Sequence, residues 1–254
     1  MSKQPDKEST TSKIATRLQP DKKERANFVI NTITSAVLTG ISAASGDVQS
    51  AVSSSVQTLS SLLGFPMGKR FAEAIILIAE DLDELSKKIE GFDMRNLQDN
   101  EVFTSIVLRA CQIAIRTHQK EKIKLLSNAI QNCAIGNAPD EDLQLIFLDN
   151  IDSLTTWHIK ILQYFRDPDD WYVKNNKQKV DYMMASASTG LENAFPELRD
   201  NKEFYSLIVK DLQAKGFINS GDFLNVSMSS SGVYASRINE IGRKFLKFVT
   251  SPIE

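Results

Sequence analysis

The sequence predicts a mainly α-helical protein, with a helical bundle over 26–166 and a small winged-helix-like α/β domain over 177–254. Apolar residues recur at steps of three and four along most of the chain, which is the period of an amphipathic helix. Glycine (11) and proline (7) are few in 254 residues, so these patterns are seldom interrupted. Near the C-terminus a helix, a glycine, a β-like segment and a closing helix follow one another, which is the order of a winged-helix domain.

The composition excludes several classes of protein. The chain is 42% hydrophobic and 24% charged, with a formal net charge of −2. These values are typical of a globular protein and exclude a wholly disordered chain, a polytopic membrane protein and a strongly basic nucleic-acid binder. Two cysteines and two histidines exclude a disulfide scaffold and argue against a structural zinc site. We therefore predict no metal and no cofactor.

Residues 1–25 are predicted to form a disordered tail. The segment carries seven Lys and Arg against four Asp and Glu, and it lacks the apolar core of a secretory signal. The sequence therefore predicts a cytoplasmic protein. Cys111 and Cys133, which lie on apolar helical patterns, are interpreted as buried thiols.

Between 26 and 68 the only charged residue is Asp47, and the segment is rich in small and hydroxyl-bearing residues. The break at 45–47 and the capping preference of aspartate predict two helices joined as an αα-hairpin. Its apolar positions repeat at helical spacing: Val29, Ile33, Val37, Ile41, Val52, Val56, Leu59 and Leu63.

Two interpretations of this hairpin stay open. Each helix offers about 16 residues, against the roughly 20 apolar residues that a membrane-spanning helix needs, and thirteen Ser and Thr are interspersed. We favour docking of the hairpin on the bundle, with small residues allowing close packing. The alternative is a surface for self-association or for conditional membrane association, which would place the protein at the inner face of the membrane.

The strongest helical pattern covers 69–89, where charged residues lie mostly off the apolar stripe, as in a bundle helix. The stripe is Phe71, Ile75, Ile78, Leu82, Leu85 and Ile89. Asp99 or Asn100 is predicted to cap the next helix. Thr117 is predicted to cap a further helix that ends near Gly136, unless these two helices are continuous.

Two more helices complete the predicted bundle. Pro139 is expected at the first helical position of one that runs to Leu154, because this position leaves its amide hydrogen unpaired and proline has none. A shorter helix is predicted over 156–165.

The C-terminal domain is predicted to follow a boundary at 166–170. Helical pieces are expected at 177–188 and 190–195. Asp200 is expected to cap a helix that Gly216 ends.

The segment 217–238 has a β-like pattern and is predicted to form the wing, and the string 238–246 looks like the closing segment of winged-helix domains. The helix that would read DNA, 200–215, carries three cations and three anions, whereas phosphate contacts need a basic surface. We therefore do not favour nucleic-acid binding. The residues available for it are Arg237, Arg243, Lys244 and Lys247.

His118 and His158 are candidate catalytic residues. If their helices pack antiparallel, His118 and Asp152 would form an acid–base pair. The interpretation we favour is structural, with His118 bridging helix ends and His158 packed half-buried against a carboxylate. No serine or cysteine stands beside a recognisable base, so no catalytic residue is assigned.

Two strings within about 66–170 resemble an uncharacterised family of bacterial helical proteins. The first is Arg116-Thr117-His118-Gln119-Lys120-Glu121-Lys122, followed by Leu126, Asn128, Ala129 and Asn132. The second is Phe147-Leu148-Asp149-x-Ile151-Asp152-x-Leu154-Thr155-x-Trp157-His158-Ile159-x-x-Leu162. The order of an apolar N-terminal segment, a helical middle and a winged-helix-like end also resembles the abortive-infection alpha-type domain. The resemblance implies a bacterial protein of phage defence or another conflict system, with no catalytic residues to carry over.

The sequence therefore predicts a non-enzymatic interaction or effector protein. It would act through a protein partner, self-association or conditional membrane association of the 26–68 hairpin. Two other functions stay open: a DNA-binding regulator that uses the C-terminal domain, and a hydrolase or transferase built around His118 and His158.

Overall fold

The computed structural model describes residues 65–90, Phe92, Leu97 and 100–253. In these residues it has ten α-helices and almost no strand, which confirms the mainly helical fold. None of the helices in this part of the chain is long and apolar enough to cross a lipid bilayer.

The chain divides into two compact units, one that ends at Arg116 and one that begins at Thr117. The tail predicted for 1–25 and the eight apolar positions of the predicted hairpin, from Val29 to Leu63, lie outside the described residues. Their predicted roles stay predictions.

The first unit is described as two packed helices, α1 (Phe65–Lys88) and α2 (Glu101–Arg116). The apolar stripe of α1 faces the core as its spacing predicted. Its buried members are Phe71, Ile75, Ile78, Leu82 and Leu85. Asn100 caps α2, because its Oδ1 accepts a hydrogen bond from the Phe103 amide at 2.9 Å, so the cap predicted at Asn100 is confirmed.

The second unit is described as eight helices packed around one aromatic core. They are α3 (Lys120–Ala134), α4 (Glu141–Ser153), α5 (Thr156–Arg166), α6 (Pro168–Lys174), α7 (Ala187–Ala194), α8 (Lys202–Ala214), α9 (Ser230–Val233) and α10 (Glu240–Val249). At the centre Phe147 contacts the rings of Phe217, Phe245 and Phe248, and all four rings are fully buried. Helix α10 packs on α3 and α5, and α8 packs on α5.

Two predicted helix starts are wrong by one or two residues. Helix α3 begins after Gln119, because the Thr117 hydroxyl accepts from the Gln119 amide at 3.2 Å and holds a break between α2 and α3. Helix α4 is capped by Asp140, whose carboxylate accepts from the Leu143 amide at 3.1 Å. Pro139 therefore precedes the helix.

Both glycines that were predicted to end a helix do so, and the helix cap predicted at Asp200 is wrong. Gly136 (φ +70°) follows α3 and Gly216 (φ +72°) follows α8, in the left-handed region that favours glycine. The cap residue of α8 is Asn201, because Asp200 has a φ of +67°, which lies outside the helical region.

The chain between α5 and α7 differs from the prediction. Its first part is α6, which was not predicted and which Asp167 caps. The helix predicted at 177–188 is wrong: the segment is coil until α7 begins at Ala187. Because the Lys177 ammonium donates to the Ala194 oxygen at 2.6 Å, this segment is tied to the end of α7 instead of to a helix of its own.

The winged-helix-like domain is not supported. The part of the second unit that was predicted as a wing contributes to two isolated β-bridges, Ala185 to Met228 and Ile218 to Ile238, and forms no hairpin. Most of its apolar side chains pack into a helical core, and Val226 is exposed. Those that are buried are Phe217, Ile218, Phe223, Leu224, Val233, Tyr234 and Ile238. The serine run at 229–231, within the same segment, caps and begins α9.

Gly242 lets α10 lie directly on the chain at Phe217. A Cβ at position 242 would overlap the backbone oxygen of Phe217 and would come 2.7 Å from Cγ1 of Ile238. The same oxygen accepts a hydrogen bond from the Asn239 amide at 2.9 Å, which fixes it in place. Only glycine permits this approach between the two backbones.

The two cysteines are free thiols. Burial raises the pKa of both Cys111 and Cys133 to about 12. The Cys133 thiol, which is half-buried, donates to Oε1 of Gln144 at 3.2 Å.

Candidate functional site

Helices α5 and α8 are joined by a histidine–aspartate contact. The His158 side chain on α5 is 12% exposed, and its Nε2 lies 3.3 Å from Oδ2 of Asp211 on α8. Its Nδ1 lies 3.1 Å from the Thr155 amide nitrogen and 2.8 Å from the Thr155 hydroxyl. Because the amide can only donate, Nδ1 is the unprotonated nitrogen, and Nε2 carries the hydrogen that Asp211 accepts. His158 therefore links the cap of α5 to α8.

The surroundings of His158 favour its neutral form. Burial lowers its pKa and the Asp211 carboxylate opposes that effect, while the ammonium groups of Lys215, which follows α8, and of Lys122 on α3 lower the pKa further. Protonation would also place a hydrogen on Nδ1, where the Thr155 amide now donates. The hydrogen bond at Nδ1 and the two nearby ammonium groups therefore both favour the neutral form of His158.

Acid is expected to weaken the second unit through His158. The pKa of His158 is lower in the folded state than its value of about 6.5 in the unfolded chain. His158 therefore adds to the free energy of unfolding above about pH 6.5, and this contribution is lost as the pH falls below about 6.5. The free energy of unfolding should change through His158 by at most about 1.4 kcal/mol per pH unit, which is the limit for the uptake of one proton. Urea unfolding at several pH values measures it. His158→Gln keeps an acceptor for the Thr155 amide, so this variant should show a flatter pH dependence; an unchanged slope would contradict the assignment.

The other candidate catalytic residues have other surroundings. His118 is exposed in the segment between α2 and α3. Asp152, at the end of α4, accepts the Lys122 ammonium on its backbone oxygen at 2.8 Å. The acid–base pair of His118 and Asp152 stays a prediction. Sequence reasoning missed Asp211 as the partner of His158, because the two lie far apart in the chain and only the packing of α5 on α8 joins them.

Beside this contact lies an exposed apolar patch, which we call the α5–α8 surface: Trp157 and Lys160 of α5, with Phe204 and Leu207 of α8. The Trp157 and Phe204 rings meet edge to face, with centroids 6.4 Å apart. The Lys160 ammonium lies 4.8 Å from the Trp157 ring centre. Leu207 is 67% exposed and Phe204 is 39% exposed. These are large apolar groups in contact with water.

The four basic residues predicted as nucleic-acid contacts near the C-terminus lie in three different surroundings. Arg243 and Lys247 line a groove of about 330 Å³ beside α10, which we call the α10 groove, and Arg166 of α5 joins them there. Arg237 is turned into the fold: its Nη2 donates to the Gly232 oxygen at 2.6 Å and burial lowers its pKa. Lys244 is exposed outside this groove. Arg166, which reaches the groove from another helix, could not be identified from local sequence patterns.

Two buried asparagines of α3 form an amide clamp on the end of α10. Asn128 Nδ2 donates to the Val249 oxygen at 2.9 Å. Asn132 Nδ2 lies 3.0 Å from the Phe248 oxygen and 2.8 Å from the Thr250 oxygen. The last carbonyls of a helix have no partner within it, so the clamp satisfies groups that burial would otherwise leave unpaired. Both asparagines belong to the string that carried the family resemblance, and here their role is structural.

Comparisons of the chain with protein-family models, with curated proteins and with solved structures found no match.

Proposed function

We propose that this chain is a non-enzymatic interaction protein that makes its protein contact through the α5–α8 surface. The observation that carries the proposal is the exposure of Leu207 and Phe204 on one face of α8 beside the Trp157 ring. Exposed apolar patches with polar rims are typical of protein contact sites, because covering them removes apolar area from water. Tryptophan in such a patch is the residue type most often found at the energetic centre of an interface.

The occupant we propose for this surface is a second copy of the chain. A two-fold interface must be complementary to itself. The α5–α8 surface carries a cation on α5, Lys160, and next to Phe204 on α8 stands a carboxylate, Glu203, at its edge; both are exposed. Two copies related by a two-fold axis can therefore place opposite charges at the rim while their apolar centres meet.

Self-association through this surface is expected to be lost in Leu207→Glu. A carboxylate in the apolar centre should raise the dissociation constant by at least about tenfold, which corresponds to about 1.4 kcal/mol. Sedimentation velocity of the full chain, from low micromolar to several hundred micromolar, measures it. Val173→Glu is the matched control, since Val173 on α6 is 75% exposed and lies outside the patch.

Two results would count against this proposal. A full chain that stays monomeric at the highest concentration excludes a second copy as the occupant. Equal weakening by Val173→Glu and Leu207→Glu would mean that the contact does not use the α5–α8 surface. Circular dichroism of each variant shows whether the fold is kept.

The effector role in a bacterial conflict system stays a proposal that rests on the resemblance of the strings within 66–170. The conditional membrane role of the hairpin at 26–68 also stays a proposal. Both roles are compatible with a chain that self-associates through its second unit.

A further inference from the structure

The α10 groove concentrates positive charge. Arg166, Arg243 and Lys247 line it, and no aspartate or glutamate is among its lining residues. Such an excess in a concave site focuses a positive potential.

Carboxylates outside the groove orient its arginines without filling it. Arg166 Nη2 lies 3.2 Å from Oδ2 of Asp170, which also holds Lys174 at 2.9 Å, and Arg243 Nε lies 3.8 Å from Oε2 of Glu240. Each arginine engages one nitrogen in this way and keeps other N–H donors for a ligand.

The amide clamp removes the main obstacle to an anion at this position. The end of a helix carries a partial negative charge on its unpaired carbonyls, and this charge repels anions. Here Asn128 and Asn132 donate to the last carbonyls of α10, directly beside the groove. Asn132 and Thr250 also line the groove. The clamp therefore pairs the carbonyls of α10 that would otherwise face an anion in the groove.

The walls of the groove add an apolar part to the site. Leu246 and Pro252 lie among the lining residues, and the volume of about 330 Å³ is at the lower end of the roughly 300–1,000 Å³ found for small-molecule sites. A lining of three cations beside Leu246 and Pro252 suits a small ligand with one anionic group and one apolar group. A phosphate monoester is nearly dianionic at neutral pH and accepts two-pronged hydrogen bonds from arginine, so it matches three cations better than a single carboxylate does.

We propose that the α10 groove binds a small phosphate monoester, with the phosphate between Arg166, Arg243 and Lys247 and the apolar group against Leu246 and Pro252. The site is separate from the α5–α8 surface, with which it shares no residue. The proposal therefore does not depend on the proposed function. Binding is expected to persist in Leu207→Glu.

Phenyl phosphate is the probe for this site, because it combines a phosphate monoester with an apolar ring. Isothermal titration calorimetry of the full chain should show phenyl phosphate binding more tightly than inorganic phosphate, and inorganic phosphate more tightly than benzoate. Arg243→Gln and Lys247→Gln should each weaken phenyl phosphate binding at least tenfold. Lys244→Gln is the matched control, since it removes a charge from the same helix outside the groove, and it should bind like the unmodified chain.

Three results would overturn the proposal. One is the absence of binding at millimolar phenyl phosphate. Another is equal weakening by Lys244→Gln, which would indicate a diffuse charge effect. The third is binding of duplex DNA that depends on Arg243 and Lys247 while phenyl phosphate does not bind, which would assign these cations to a phosphodiester backbone. Amide chemical shifts of 246–251 report in each case whether the groove is occupied.

Discussion

Gly242→Ala is expected to destabilise the second unit by about 1–3 kcal/mol or more, the range for overpacking in a core that cannot move. The added Cβ overlaps the Phe217 backbone oxygen, which is held by the Asn239 amide. Relief requires α10 to move away from the buried ring of Phe217. In a helix where the glycine is exposed to solvent, the same substitution stabilises the protein by roughly 1 kcal/mol. A decrease in the free energy of unfolding therefore indicates the close contact with Phe217.

The matched control for this change is Gly232→Ala. A Cβ at Gly232 in α9 would lie 3.0 Å from Cβ and Cγ of Met228, so it meets a side chain at a tight distance and does not overlap a backbone atom as at Gly242. Urea unfolding followed by circular dichroism compares the two variants. Equal midpoints for them would show that α10 does not lie as close to Phe217 as described. A Gly242→Ala chain that does not fold at all would be the strongest form of the expected destabilisation.

Asn132→Asp is expected to cost about 1–3 kcal/mol, the range for leaving buried hydrogen-bonding groups unpaired, because the cations of the α10 groove offset part of the cost of the new charge. The change has almost no effect on shape. It replaces the amide that donates to the Phe248 and Thr250 oxygens with a carboxylate that can only accept. Asn132 is 1% exposed, so water cannot compensate.

This loss should be relieved by acid. A carboxylate among carbonyl oxygens has a raised pKa, so its penalty is present at neutral pH and disappears as the pH falls below that pKa. The difference in unfolding free energy between Asn132→Asp and the unmodified chain should therefore shrink at low pH. Asn175→Asp is the control, because Asn175 donates to the Trp171 oxygen at 2.8 Å but is exposed. A pH-independent difference, or an equally large loss in the control, would contradict the role of the clamp.

Local features of this fold could be predicted from the sequence, and features that depend on distant contacts could not. The stripe of α1, the cap at Asn100 and the stop at Gly136 follow from periodicity and from single-residue preferences. Each needs information from only a few neighbouring residues. The helix predicted at 177–188 was wrong, and in its place the Lys177 ammonium binds the end of α7, a contact that no local pattern reports.

The wing illustrates the same limit. The β-like pattern within 217–238 is compatible with a sheet, but here Phe217, Phe223 and Leu224 are buried in a helical core. Ile218 and Ile238 form a single bridge and no hairpin.

The candidate site shows the same division. Arg243 and Lys247 were identifiable as a basic pair one helical turn apart, and Arg237 in the same set proved to be structural. Arg166 and Asp211 could not be found, because each acquires its role from a helix that packs against its own. Charge and spacing indicate which residues share a helix face, whereas a groove requires the packing of several helices.

The burial of the two thiols has a practical consequence for chemical labelling. Maleimides and iodoacetamides react with thiolates, and a pKa of about 12 for both Cys111 and Cys133 leaves almost none at neutral pH. These are the only cysteines in the chain. A cysteine introduced at an exposed position, such as Leu207→Cys, is therefore the reactive one in an otherwise native protein. Fluorescent or spin labels can report on the α5–α8 surface without first removing the native sulfurs.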